Sequence, residues 1–194
     1  VLHDGFMRPD NKVFFIASQS SDWVTAIDVE TMKIIKKIKT GKKPHPGPGA
    51  TWTSKGKLYA GTPHILDHKN VIWDANTMEI VGEVPSAGPG LFVRTNSHMK
   101  YVWFDTVLKK GACNEITVHE KFPPFKVVKR ILDGTHTLHP EPDATGKYVY
   151  IADWSEHKVR VYEEATQKLV KTIEGVHTPT GIFSISRLKE TEGH

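Results

Sequence analysis

The chain has 194 residues, 38% of them apolar, 25% charged and 9% aromatic. That is ample for one buried core, marginal for two domains and too apolar for disorder. The net charge of +4 comes from Lys residues spread between apolar runs, not clustered among aromatics, which argues against a nucleic-acid surface. No apolar run reaches about 18 residues, so no membrane-spanning helix is expected. One cysteine, Cys113, excludes an internal disulfide framework and a Cys-rich metal or iron–sulfur site, and leaves the compartment open. The chain opens on Val1 without an initiator Met or a signal-like segment, so it is expected to be part of a longer protein.

In chain order the sequence repeats itself. The first unit has three runs: Lys12–Ala17, Trp23–Asp28 and Lys33–Ile38. The second has Lys57–Gly61, Val71–Asp74 and Glu79–Val84. The third has Lys100–Asp105, Glu115–Val118 and Lys126–Ile131, and the fourth Lys147–Asp153, Lys158–Tyr162 and Lys168–Ile173. The opening lysines are 45, 43 and 47 residues apart. Each run is rich in β-branched or aromatic residues and close to period-two alternation, which predicts strands. Asp28-Val-Glu-Thr31, Asp74-Ala-Asn-Thr77 and Glu163-Glu-Ala-Thr166 supply the turn chemistry between runs. Nothing reads as a long amphipathic helix. Three or four strands per repeat of about 45 residues predict an all-β fold of β-propeller blades. The whole of residues 1–194 then forms one domain of four blades, about half of a larger, eight-bladed ring.

With the Lys-opened run taken as the innermost strand of each blade, the residues just before it converge near the propeller axis. Of eleven histidines, His3, His45 and His139 fall there. Gly88–Phe92 fills the same place in the third unit, and His177 follows the fourth. Glycines such as those of Pro44-His-Pro-Gly-Pro-Gly49 permit close backbone approach. The ensemble predicts a pocket for a large, flat, partly apolar ligand with polar groups above it. His64, His68, His98, His119, His136 and His157 read as ordinary structural residues, and His177 is ambiguous. No carboxylate or cysteine shares the histidines' frame at a useful spacing, so no metal site is expected within the chain.

Leu2-His3-Asp4-Gly5, Pro44-His45-Pro46-Gly47 and Thr178-Pro179-Thr180-Gly181 together resemble the C-terminal haem d1 domain of cytochrome cd1 nitrite reductases. The resemblance extends over nearly the whole chain, with Leu91-Phe92 and Tyr148–Trp154 in register. It implies an eight-bladed propeller holding haem d1 at its axis, with the proximal haem ligand and a c-type haem domain, the electron donor, outside this chain. By resemblance, His3 and His45 are the two distal histidines that protonate nitrite on its way to nitric oxide. His139 stands where the family has a Gln near the haem, Thr180 matches a haem-contacting Thr and Phe92 packs on the macrocycle. Gly47 and Gly181 complete the cofactor-binding set.

Two departures stand out. Pro48 replaces an Arg that contacts a haem carboxylate in the family, so the loop lacks a bidentate cation. The close, Thr180–Arg187, is also atypical. A haem d1 biosynthesis or delivery protein is therefore an alternative, and a non-enzymatic propeller binding module a third. The implied setting is periplasmic, with nitrite as substrate and neither nucleic acid nor membrane as partner. An unclosed half-ring exposes strand edges, which predicts self-association, a homodimer among the outcomes, or an unusual terminal strand that covers them; alone, without the proximal ligand, it is expected to be inactive.

Overall fold

The computed structural model describes residues 1–47, 49–109 and 113–179. Among the described residues there is no helix; sixteen strands form four antiparallel four-stranded sheets. The first is β1 (Leu2–Met7), β2 (Val13–Ser18), β3 (Trp23–Asp28) and β4 (Ile34–Ile38). The second is β5 (Ala50–Ser54), β6 (Lys57–Pro63), β7 (Lys69–Asp74) and β8 (Ile80–Pro85). The third is β9 (Val93–Arg94), β10 (Tyr101–Thr106), β11 (Glu115–Glu120) and β12 (Val127–Leu132). The fourth is β13 (Thr137–Pro142), β14 (Tyr148–Asp153), β15 (Lys158–Glu163) and β16 (Lys168–Ile173). These are four propeller blades, each a meander in strand order.

The Lys-opened runs are the second strands of their blades, not the innermost. A further strand precedes each and takes the inner position: β1, β5, β9 and β13. Their sequences hide them because two carry irregularities. Pairing of β1 with β2 shifts register between His3 and Gly5, and that of β13 with β14 between Leu138 and Glu141. A bulge interrupts the period of two on which a sequence reading depends. β9 is only two residues long, too short to show any alternation.

Burial separates the outermost strands from the rest. The outermost strands β4, β8, β12 and β16 are mostly exposed, whereas β7, β10, β11 and β13 are almost wholly buried. The core lies between blades. Phe6, Phe15 and Val24 of the first pack on Trp73 and Met78 of the second. Trp52, Tyr59 and Ile72 meet Phe104 and Phe125. Trp103 and Ile116 meet Val149, Ile151 and Tyr162. Burying one such aromatic contributes about 1.5–3 kcal/mol, so each blade depends on its neighbour's side chains. A repeated turn sets the outermost strand: Met32, Met78, Phe125 and Gln167 all adopt positive φ just before it. Asp28 and Asp74 accept backbone N–H bonds from that turn, at 2.7 Å from Thr31 and 3.0 Å from Thr77.

Candidate functional site

The bulge in β1 aims Asp4 where regular pairing would turn it away. Asp4 has φ of 54°, a left-handed conformation that Asp tolerates better than most residues. Its Oδ1 lies 3.0 Å from Nδ1 of His3, and its Oδ2 lies 3.2 Å from Nδ1 of His45. One carboxylate thus holds two imidazoles from two blades, with ring centroids 5.1 Å apart. A carboxylate accepts and never donates when ionised, so both rings carry their N–H on Nδ1. The carbonyl of Leu91, 3.1 Å from the same nitrogen of His45, demands the same tautomer. Nε2 of each ring has no partner among the described residues and is the atom left for a ligand. The side chain of His45 is 12% exposed and that of His3 50%, so the pair grades from interior to solvent.

Asp4 corrects the expectation that no carboxylate shares the histidines' frame. The three side chains place donor atoms within 4.8 Å of one another, a spacing that a divalent cation can also bridge. The residue lies within the Leu2–Gly5 motif itself, and only its bulge conformation was hidden.

The loop carrying His45 sits directly on Phe92. Gly47 has φ of 59°, and a Cβ there would come within 2.6 Å of the Phe92 ring. Phe92 meets His45 edge-on at 6.2 Å and stacks on His139 at 4.2 Å with 19° between planes. One face of Phe92, expected to lie on a macrocycle, is therefore occupied by His139. His139 is 4% exposed and has φ of 55° within the β13 bulge. So His3, His45, Phe92, His139 and Gly47 do come together, across all four blades. Thr180, Gly181 and Pro48 lie outside the described residues.

Behind His139 is a charged group that the sequence did not reveal. Arg94, on β9 and fully buried, donates from Nε to Oε2 of Glu141 at 3.1 Å. Its Nη2 lies 2.6 Å from Nε2 of His139, and its Nη1 donates to the Val93 carbonyl at 2.8 Å. Asp105, also fully buried, accepts the backbone N–H groups of Leu91, Phe92 and His139 at 2.8, 2.9 and 3.0 Å. Burial pushes the Asp105 carboxyl up, against the opposing pull of those three donors. Asp105 fastens the third blade's axial segment to the fourth blade's bulge.

Other histidines are built differently. His64 and His119 are fully buried, with Nδ1 facing the carbonyls of Lys69 and Phe125 at 3.2 and 3.1 Å. Burial holds both down at about 4, so they are neutral packing residues at ordinary pH. His136 faces the Val107 carbonyl through Nε2 at 3.0 Å and packs on Trp154.

Blades packed side by side, with axial loops gathering imidazoles, an aromatic ring and tight glycine turns, define a β-propeller with a histidine-rich axial site. The chain belongs to the cytochrome D1 heme domain family, whose description matches residues 1–188. It is 26% identical to a nitrite reductase of Stutzerimonas stutzeri, over 95% of this chain and 39% of that protein. It is 23% identical to a dihydro-heme d1 dehydrogenase of Pseudomonas aeruginosa, over 95% of this chain and 37% of that protein. A solved structure of dihydro-heme d1 dehydrogenase NirN in complex with DHE superposes with a TM-score of 0.86 at 24% identity, covering 96% of this chain and 40% of that one. The chain thus spans about two-fifths of the length of these relatives, and membership of the family implies binding or handling of haem d1.

Proposed function

We propose that the chain is part of a haem d1 nitrite reductase, in which His3 and His45 deliver protons to nitrite above the haem. The observation that carries this reading is the Asp4 carboxylate bridging Nδ1 of both histidines, which leaves Nε2 of each ring for one ligand. The donor set fits the cofactor: imidazoles, not thiolates, line an axial site walled by Phe92 and Gly47. When bound, haem d1 supplies the electron and weakens the N–O bond.

The chain's own residues supply the rest. Conversion of nitrite to nitric oxide and water consumes one electron and two protons. Asp4 orients both rings and fixes their tautomer, so that each can hold one transferable proton at Nε2. Two histidines match the two protons required, and as imidazolium ions they also attract an anion. Largely buried His45 and half-exposed His3 suit one donor shielded from solvent and one open to recharging from it. The remaining blades, the proximal haem ligand, a c-type cytochrome electron donor and a periplasmic setting belong to the same proposal for the complete protein.

The test is turnover by the complete protein loaded with haem d1. Nitrite-dependent nitric oxide release should fall by about 10²-fold or more in the His3→Ala/His45→Ala double variant. Unchanged turnover sinks the distal-donor role. A second reading, a haem d1 biosynthesis or delivery protein, is favoured by Pro48, which takes a loop guanidinium from the reductase pattern. Binding of a d1 precursor without nitrite turnover would select it.

A further inference from the structure

Buried charge beside the axial site has no part in the chemistry above, and it faces the third axial histidine. Arginine has donors only, five N–H groups and no acceptor. At the 2.6 Å contact between Arg94 Nη2 and His139 Nε2, the histidine nitrogen must therefore be the acceptor. Its ring N–H is then on Nδ1. Glu141 completes the arrangement from β13 itself, holding Nε of Arg94 at 3.1 Å while its Oε2 stays 3.6 Å from His139 Nε2. Asp105, from β10, grips the backbone N–H of His139 at 3.0 Å, and Phe92 stacks on the ring. Among the described residues, Arg94, Glu141 and Asp105 are charged groups that face His139. A second ring proton would set an Nε2–H against the guanidinium N–H groups.

We infer that Arg94 is a positioning residue that locks His139 in the Nδ1–H tautomer and keeps it out of the proton inventory of the site. The axial histidines then divide by the atom that is held. His3 and His45 are held at Nδ1 by a carboxylate and work at Nε2; His139 is held at Nε2 by a guanidinium and acts as a fixed hydrogen-bonding wall. This division rests on the proposed function for its meaning, but the tautomer itself does not.

The test reads ring nitrogens directly, in the complete protein without tetrapyrrole. With ¹⁵N at histidine side chains only, and His139→Gln to assign the signals, long-range ¹H–¹⁵N spectra should show His139 protonated at Nδ1 and bare at Nε2. That pattern should persist from pH 8 to pH 5. The variant Arg94→Met/Glu141→Leu removes the ion pair together, and Asp105 keeps its three backbone N–H donors, so the fold should hold. In it the separation between the two His139 nitrogen signals should collapse toward an average as the tautomers mix. Protonation at Nε2 in the parent protein, or an unchanged tautomer in the double variant, overturns the inference while leaving the proposed function standing. Failure of the complete protein to bind any tetrapyrrole overturns the proposed function while leaving the tautomer lock standing.

Discussion

The first and fourth blades carry the same device and use it in opposite ways. In each, the innermost strand is broken by a bulge with a left-handed residue, Asp4 in β1 and His139 in β13. In the first blade the bulge turns out an acid, which gathers two partly accessible imidazoles. In the fourth it turns in the histidine itself, which is sealed against an Arg–Glu pair. Equivalent repeat positions therefore do not imply equivalent chemistry. Side chains contributed by neighbouring blades set the role of each histidine.

The largest expected effect breaks the fourth-blade side of this contrast. Glu141→Ala removes the carboxylate that accepts Nε of the fully buried Arg94 at 3.1 Å. Loss of one partner of such a pair should cost about 3–5 kcal/mol of stability, measured by denaturant unfolding. A cost below about 1 kcal/mol would mean that Arg94 is satisfied without Glu141, and the fourth-blade bulge would lose its argued anchor.

Acid sharpens the contrast by asking which histidines report on stability. His64 and His119 sit at about 4 when folded and near 6.5 when unfolded. Both are lowered in the native state, so their contribution is complete above 6.5 and is lost as pH falls to about 4. Each can remove about 3 kcal/mol across that window. His119→Gln should flatten the acid-induced loss, and so should His139→Gln, because a ring held neutral in the native state takes up its proton only on unfolding. An unchanged slope in His139→Gln would show that the Arg94 contact does not keep that ring neutral in the folded protein.

Strands two to four of each blade were legible because alternation and turn residues repeat at a near-constant spacing. The inner strands were not, because Asp4-Gly5 and His139-Pro140 spoil the alternation at the points where the bulges form. The axial place of His3, His45 and His139 was legible from repeat position alone. Arg94 and Glu141 were not, since they lie 47 residues apart on different blades and in sequence look like ordinary strand residues. Asp105 was visible as the end of a repeated run, yet nothing local distinguishes it from Asp153. Only the fold shows that Asp153 pairs with Arg160 at 2.7 Å and accepts N–H groups of its own blade, while Asp105 accepts N–H groups from two blades.

Gly47 tests whether the two halves of the site are mechanically joined. Alanine there would keep an unfavourable positive φ and press on the Phe92 ring, costing about 1–3 kcal/mol. Because Phe92 touches both His45 and His139, signals from both rings should shift in histidine-labelled spectra. A shift confined to His45 would make the two histidine sites independent.

The smallest effect on stability is the most informative about the first blade. Asp4→Gly removes the bridging carboxylate while suiting a backbone φ of 54°, so stability should change by less than about 1 kcal/mol. The two imidazoles should nevertheless respond unequally. His45 keeps the Leu91 carbonyl at 3.1 Å and should stay protonated at Nδ1. His3 loses the one acceptor that holds its ring among the described residues and should become a mixture of tautomers. Equal release of both rings would show that Leu91 does not hold His45. Release of neither would show that the carboxylate is a bystander, and the case for a matched pair of Nε2 proton donors would lose its main support.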